Sequence, residues 1–268
     1  MSIAGRDHIG HKPGTAERTL GQVPAWLWFG AGLFLLMVIG GNRSLQDADT
    51  YWQIVVGQSI IDHRALPHTD IYSFTRLGAP WMSSSWLAQV LYAASYAVAG
   101  WAGPVILAAL GTAAAFALLV HILCRYFSAV HAIIVTMAAV LMSAHHFVAR
   151  PHLLALPVMV AWVYGLANAS DARRAPSFWL LPLIIVWANL HVGFVLGLAL
   201  IAPLALDAPS HAAAPQRLSL ALRWASFGIC ALAASWLPPY GWNSLLAARP
   251  IPALAAAPPL LAARQPAH

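Results

Sequence analysis

The sequence predicts an all-α fold: a polytopic helical membrane bundle of about seven spans, with an outer loop that carries amphipathic interfacial helices. Apolar residues make up 60% of the 268 positions and charged residues only 8%, against roughly 25% in a soluble domain. The apolar residues are grouped in runs of a length suited to membrane helices. The composition therefore excludes a water-soluble enzyme and a disordered chain.

The positive net charge does not indicate nucleic-acid binding. The chain has 14 Lys and Arg against 8 Asp and Glu, a formal charge of +6, but the basic residues are spread singly and are not interleaved with aromatic residues. In a membrane protein such charges act as topology signals. The two cysteines, Cys124 and Cys230, lack the spacing of a zinc site or a disulfide framework.

The predicted elements begin with a polar, cytoplasmic N-terminal tail at residues 1–23. Residues 24–41 form the first span, about 27 Å long as a helix, and residues 42–102 form an outer loop with four of the eight acids. The transmembrane region extends to residue 243, and residues 244–268 form an Ala/Pro-rich tail that we do not expect to fold. Six further runs are predicted to span the membrane: 103–123, 128–149, 153–167, 177–190, 194–206 and 219–237.

The orientation depends on the apolar segment at residues 83–100. If it crosses the membrane, the later loop arginines lie outside; if it lies flat at the interface, they lie inside with the N-terminal basic residues. The positive-inside rule favours the flat segment, and its Trp, Tyr and Gln residues suit an interfacial helix. The arginines concerned are Arg125, Arg173, Arg174, Arg217 and Arg223.

This orientation brings several polar clusters to the outer face, where their convergence predicts a site. The first contains Asp47 and Asp49. Two carboxylates at i and i+2 can share a divalent cation with phosphate oxygens, or one can act as a general base toward an acceptor hydroxyl. The alternative is a solvated loop in which Asp49 caps a helix.

The outer loop continues with a helix predicted from about Asp49 to Arg64, ending before Pro67. Isoleucine and valine residues of this helix are expected to lie against the membrane surface. Arg64, with the neighbouring His63, His68 and Asp70, is a candidate for binding an anionic head group. A packed surface loop is an equally good interpretation of each of these residues.

Another cluster contains Arg150 and His152 at the outer end of a span. An unpaired arginine at the apolar boundary costs up to about 3 kcal/mol, which a phosphate or carboxylate partner would offset. Arg150 is therefore a candidate clamp for a lipid-linked phosphate, and snorkelling to the interface is the alternative. The adjacent His145 and His146 point to different helix faces, which disfavours joint metal binding.

Two short apolar runs meet at a polar break, residues 189–193. Each run is too short to cross comfortably alone, and Gly193 within the break indicates an unwound or re-entrant turn that lines a cavity. Asn189 and His191 would project from it; a tight hairpin is the alternative. Near the end of the region, Tyr240 and Trp242 are typical of an interfacial belt.

The order of these motifs resembles a known family. The motifs are Asp-Ala-Asp-Thr-Tyr-Trp, Pro-His-Thr-Asp-Ile-Tyr-Ser-Phe-Thr, Pro-Trp-Met-Ser-Ser-Ser-Trp-Leu, Arg-Pro-His, Asn-Leu-His-Val-Gly-Phe and Pro-Tyr-Gly, spread over residues 24–243. The chain resembles bacterial multi-span membrane proteins of the GT-C glycosyltransferase architecture. Broader relatives of that group are protein O-mannosyltransferases, lipid A aminoarabinose transferases and the catalytic subunit of oligosaccharyltransferase.

The resemblance implies a glycosyltransferase in the bacterial inner membrane that takes a sugar from a polyprenyl-phosphate donor. Asp47 and Asp49 would be catalytic, with Mg²⁺ or Mn²⁺ binding by the pair left open. Arg64, Arg150, His152, Asn189 and His191 would bind the substrate. Expected partners are the lipid bilayer, the lipid-linked sugar and an unidentified acceptor.

Two departures from the group affect these expectations. Its members usually have more spans and a further C-terminal part, so we expect a truncated form, and Pro238 stands where the group usually has Asn. A non-enzymatic membrane protein, such as an assembly factor or a remnant, is therefore an alternative. A transporter ranks last, because no inverted repeat and no acid in the middle of a predicted span is evident.

Overall fold

The computed structural model describes residues 23–74, 77–237 and 239–241, and over these residues the fold is all-helical. The predicted tails therefore lie outside the described residues, apart from Val23. Within the described residues the α-helices are α1 (Ala25–Ile39), α2 (Gly41–Ser44), α3 (Ala48–His63), α4 (Trp86–Ala99), α5 (Ala102–Leu123), α6 (Ala129–Ser143), α7 (Pro151–Asp171), α8 (Leu181–Leu190), α9 (Phe194–Ala199), α10 (Ile201–Ser210) and α11 (Arg217–Ala234).

Helix boundaries follow local sequence signals. Asp47 precedes α3, and its side chain accepts a hydrogen bond from the backbone N–H of Asp49, which is an N-cap. The cap predicted at Asp49 was therefore misplaced by two residues. Arg64 ends the same helix in a left-handed conformation. Pro151 occupies the first position of α7, where a missing N–H costs no hydrogen bond.

In the part of the chain that the structure describes, four helical segments have the length and composition of membrane-spanning helices: Ala102–Leu123, Ala129–His146, Pro151–Asp171 and Ala214–Ala234. Each coincides with a predicted span. The other three predicted spans coincide with apolar helical segments of 10–17 residues, so the count of about seven stays a prediction. Helix α4 has 14 residues, about 21 Å, and this is short of a bilayer core of about 30 Å.

The centre of the bundle is α5, which packs between α1 and α7. Gly30 of α1 lies against Ala117, and Gly41 lies against Val105, so α1 and α5 run antiparallel. Gly111 of α5 lies against the backbone of Leu153 in α7. Glycines at these crossings let the helix backbones approach closely, as is typical of membrane helices.

Helices α3 and α4 form a tightly packed pair. Gly57 of α3 faces the backbone of Gln89 and the side chain of Ala93. Ile54 and Ile60 are buried, whereas Val55 and Ile61 are exposed. The sequence predicted that all four side chains would lie against the membrane surface. The prediction is wrong for Ile54 and Ile60, and only Val55 and Ile61 are available for such a contact.

Contacts between helix ends define two ends of the bundle. At one end, the start of α3 meets the start of α7 and the start of α4 meets the end of α8; we call this the site end. At the other, the start of α1 meets the end of α5, and Ser170 near the end of α7 bonds Asp207 of α10. The polar clusters discussed next lie at the site end.

Candidate functional site

One arginine holds both candidate catalytic acids. Nη2 of Arg150 lies 2.5 Å from Oδ2 of Asp47 and 2.9 Å from Oδ2 of Asp49. The side chain of Asp47 is 18% exposed and that of Asp49 is 55% exposed. The sequence predicted that a phosphate or a carboxylate would partner Arg150, and in the structure the partner is the acid pair.

The two acids differ in how fully they are engaged. Asp47 caps α3 through Oδ1 and pairs with Arg150 through Oδ2. The hydrogen bond from Arg150 lowers the pKa of Asp47 against the opposing effect of burial, and the hydrogen bond to Asp47 raises the pKa of the guanidinium. Asp49 makes one ion pair and keeps more than half of its side chain in contact with solvent. It is therefore the acid more accessible from solvent.

Buried side chains fix the backbone beside Arg150. The hydroxyl of Tyr92 donates to the carbonyl oxygen of Arg150 over 2.9 Å, and the hydroxyl of Thr50 donates to that of Ala149 over 3.1 Å. The N–H of Ala149 donates in turn to the carbonyl oxygen of Ser44 over 2.8 Å. Tyr92 and Thr50 are fully buried, so the position of Arg150 is set by α3 and α4.

These supporting residues were missed by the sequence analysis. Thr50 directly follows the acid pair. The signal that could have identified it was a small hydroxyl residue inside the predicted helix, next to two candidate site residues. Tyr92 was interpreted as an interfacial aromatic residue. Its buried hydroxyl instead acts as a donor to a distant segment.

A polar cavity of about 630 Å³ opens beside the ion-pair cluster. Asp47, Arg150 and His152 line it together with Arg43 and His146. Arg43 was not among the predicted site residues, and the structure adds it. The cavity thus combines two arginines with one of the acids.

An apolar cavity of about 360 Å³ lies next to it and shares His152 as a wall. His191 and Gly193 also line this cavity. The rings of His152 and His191 have centroids 6.2 Å apart, so one histidine from each of two predicted clusters meets here. The remaining walls are apolar side chains and glycine, including those of Leu156, Met159, Val163, Trp187, Leu196 and Leu200.

The predicted break between the two short apolar runs is present. Helix α8 ends at Leu190, His191 is extended, and α9 begins at Phe194. The N–H of Gly193 donates to Nδ1 of His191 over 3.0 Å. Burial lowers the pKa of His191 to about 4, so its ring is neutral near pH 7 and can accept that bond.

Asn189 is engaged within the fold. Its Oδ1 accepts a hydrogen bond from Nε1 of Trp86 over 2.6 Å, and its Nδ2 donates to the carbonyl oxygen of Ile185 over 2.7 Å. The side chain is buried. Asn189 therefore joins α8 to the start of α4 and supports the site, and its predicted contact with substrate stays a prediction.

Two other predicted features lie apart from the cluster. Arg64 ends α3, about 22 Å along the helix axis from Asp49, so the structure does not bring it together with Arg150. Tyr240 is buried, and its hydroxyl donates to the carbonyl oxygen of Pro67 over 2.8 Å. This hydrogen bond holds the loop before α4. Trp242 lies outside the described residues.

The residues present do not fit a resident divalent cation. Within the described part of the chain, no group of three His, Cys, Asp or Glu side chains is placed to hold a metal ion. The Oδ2 atoms of Asp47 and Asp49 already bind the same guanidinium nitrogen, and Mg²⁺ requires six oxygen ligands in octahedral geometry. The Mg²⁺ or Mn²⁺ site that the sequence left open is therefore not assigned.

The chain was compared with protein-family models, curated proteins and solved structures, and none of them matches it.

Proposed function

We propose that this protein is a membrane glycosyltransferase that moves a sugar from a polyprenyl-phosphate donor to an acceptor at the outer face of the membrane. The supporting observation is that a polar cavity and an apolar cavity meet at His152. The arginines that line the polar cavity can bind a phosphate, and the apolar walls of the other cavity can contact a hydrocarbon chain. An amphiphile with an anionic head matches both.

The donor phosphate is placed in the polar cavity beside Arg150 and Arg43. A guanidinium has five N–H donors, and Nη2 of Arg150 alone makes both recorded ion pairs. The guanidinium therefore has further donors for phosphate oxygens. The first isoprene units of the donor extend past His152 into the apolar cavity.

The proposed reaction is a single displacement. The acceptor hydroxyl oxygen attacks the anomeric carbon, and the bond from that carbon to the phosphate oxygen breaks. The polyprenyl phosphate leaves with the electron pair, and Asp49 takes the hydroxyl proton. Asp49 is assigned this part because it is the more exposed acid. Asp47 holds Arg150 and caps α3, and Arg150 stabilises the departing phosphate.

The decisive variant is Asp49→Asn. We expect it to lower sugar transfer by about 10²–10⁴-fold, the range for loss of a general base, while the protein still folds. The full-length protein in nanodiscs is given a polyprenyl phosphate carrying a radiolabelled hexose, with host membranes as the source of acceptors. The measured quantity is the label that leaves the donor lipid.

Asp62→Asn is the matched control, because Asp62 is an exposed acid of the same helix and its side chain accepts a hydrogen bond from Gln58. Asp47→Ser keeps a capping oxygen but removes one of the two carboxylates that hold Arg150, so we expect an intermediate loss. Full transfer in Asp49→Asn, Asp47→Asn and the double variant would reject the assigned chemistry.

A separate measurement tests donor binding. Arg150→Lys keeps the charge but loses the planar fork, so we expect weaker binding of a polyprenyl-phosphate analogue, and weaker still in Arg150→Ala. Measurement at two salt concentrations separates specific binding from screened attraction. Equal binding by the wild type and Arg150→Ala at both salts would show that Arg150 does not hold the phosphate.

A non-enzymatic membrane protein is the second candidate, and one observation favours it. Arg150, Asp47 and Asp49 form a closed ion-pair cluster that joins the start of α7 to the start of α3. Such a cluster can serve stability alone. If the wild type binds no polyprenyl-phosphate analogue, this second candidate replaces the first.

A further inference from the structure

The end of the bundle opposite the site carries a concentration of arginines. They are Arg125 at the end of α5, Arg173 and Arg174 after α7, and Arg217 and Arg223 in α11. Nε1 of Trp224 donates to the carbonyl oxygen of Arg174 over 3.1 Å, which brings the start of α11 beside the end of α7. We call these five residues the arginine end.

In the described part of the chain, the arginines of the arginine end outnumber the acids beside them. Among the described residues, Asp171 and Asp207 are the acids at this end, and none of the five arginines is ion-paired. Asp207 instead interacts with Ser170 and His211. The site end shows the reverse pattern, because there Arg150 is held by two carboxylates.

Arg125 is the best-positioned of the five. Its Nη1 donates to the hydroxyl of Tyr164 over 2.6 Å, and its guanidinium carbon lies 5.4 Å from the centre of the same ring. His121 is 3.4 Å from its Nη2, and Trp26 of α1 packs edge-on against His121. Arg125 thus lies where α1, α5 and α7 meet, with its charge unpaired and its residue exposed.

Exposed aromatic residues lie close in sequence to Arg125 and Arg174. Trp179 is 87% exposed, and Tyr126, Phe127 and Phe178 are also exposed. Tryptophan and tyrosine are enriched where membrane proteins contact lipid head groups. Arginine beside exposed aromatics therefore matches the chemistry of the interface of an anionic lipid leaflet.

We propose that the arginine end binds the phosphodiester head groups of anionic phospholipids, with Arg125 as its most ordered contact. The guanidinium offers paired N–H donors to phosphate oxygens, and the exposed aromatic rings lie among the adjoining glycerol and upper acyl groups. Each arginine near an anionic leaflet favours the anionic lipid by about fivefold. The proposal does not depend on glycosyltransfer, because it concerns the opposite end of the bundle.

The test measures which lipid stays bound. The purified full-length protein in detergent is mixed with equal amounts of phosphatidylglycerol and phosphatidylcholine, and native mass spectrometry counts the retained molecules of each. We expect phosphatidylglycerol to exceed phosphatidylcholine by at least about fivefold at low salt. The excess should shrink as salt rises.

Three variants make the test specific. Substitution of Arg125, Arg173 and Arg174 by Gln should lower the ratio severalfold, although Arg217 and Arg223 remain, whereas substitution of the same three by Lys should keep most of the preference. Arg64→Gln, at an exposed arginine that ends α3 and is not part of the arginine end, is the single-charge control and should leave the ratio unchanged. If the triple Gln protein does not fold, Arg125→Gln alone should lower the ratio severalfold.

Two results would overturn the proposal. One is a ratio near one for the wild type at low salt. The other is an equal fall in the ratio for Arg64→Gln and for Arg125→Gln, since an equal effect at both positions would reflect net charge and not a binding surface.

Discussion

Arg150 and Asp47 lie in distant parts of the chain, yet their side chains approach to 2.5 Å and join the start of α7 to the start of α3. Charge-assisted hydrogen bonds of this length are the stronger kind in proteins. Because Asp49 shares the same nitrogen, the cluster has one positive and two negative charges. Removal of the arginine would leave two carboxylates beside each other.

This asymmetry predicts that Arg150→Ala is more destabilising than Asp47→Asn. The side chains are partly exposed, 40% for Arg150 and 18% for Asp47, so we expect a coupling of about 1 kcal/mol in a double-mutant cycle. Thermal unfolding of the two single variants and the double variant in detergent measures it. Strictly additive effects at low salt would show that the pair contributes nothing to stability.

The site should lose stability in two separate pH windows. His191 has a folded pKa of about 4 because of burial, against about 6.5 when unfolded. Protonation therefore favours unfolding, and stability falls as the pH drops from about 6.5 toward 4. Asp47 has a lowered pKa because of Arg150, so its ion pair is intact above about 4 and is lost as the pH falls further.

Two variants separate these windows. His191→Asn removes one titrating ring but keeps an acceptor for the N–H of Gly193, so it should weaken the dependence of the unfolding temperature on pH between 6.5 and 4, where His152 also titrates. Asp47→Asn should weaken the pH dependence of the unfolding temperature only below about pH 4. An unchanged profile in both variants, measured by thermal unfolding across the pH range, would contradict the assignment.

The contact of α3 with α4 should not tolerate a methyl group at Gly57. A Cβ there would lie 2.0 Å from the carbonyl oxygen of Gln89, and backbone cannot move aside as a side chain can. We expect Gly57→Ala to destabilise by about 1–3 kcal/mol. Gly32→Ala is the matched control, because a Cβ on this other helical glycine meets nothing within 4 Å. Similar unfolding temperatures for the two variants would refute the close approach.

The helices and their approximate limits were predictable from the sequence, because apolar runs of membrane length and the Pro and Gly residues between them are local signals. Helix α3 was expected from about Asp49 to Arg64 and is observed at Ala48–His63. The polar break at residues 189–193 was also found. The total number of spans could not be fixed, since three of the predicted spans coincide with helical segments of intermediate length.

The residues that form the cluster were predictable, but the contacts between their side chains were not. Asp47, Asp49 and Arg150 were each identified from their residue types and places in the chain. That one nitrogen of Arg150 holds both acids depends on the packing of α7 against α3 and α4, which no local pattern encodes. The donors Thr50 and Tyr92 were missed for the same reason, because their acceptors are backbone atoms of a distant segment.

The orientation of the bundle is open to direct measurement. Helix α7 has 21 residues, about 31 Å, which matches the thickness of a bilayer core. Arg150, just before α7, contacts Asp47, so Ala48 lies near one end of this helix, and Ala172 follows its other end. Both alanines are exposed. Single cysteines at these two positions should therefore report opposite faces of the membrane.

We expect a membrane-impermeant maleimide to label the cysteine at position 48, and not the one at position 172, in intact cells. The reason is that the arginine end should remain inside under the positive-inside rule. The native Cys124 and Cys230 are first replaced, and permeabilised cells, in which both positions should react, are the control. Labelling of position 172 alone would place the site end inside and reject transfer at the outer face. Equal labelling in intact cells would show that α7 does not span the membrane.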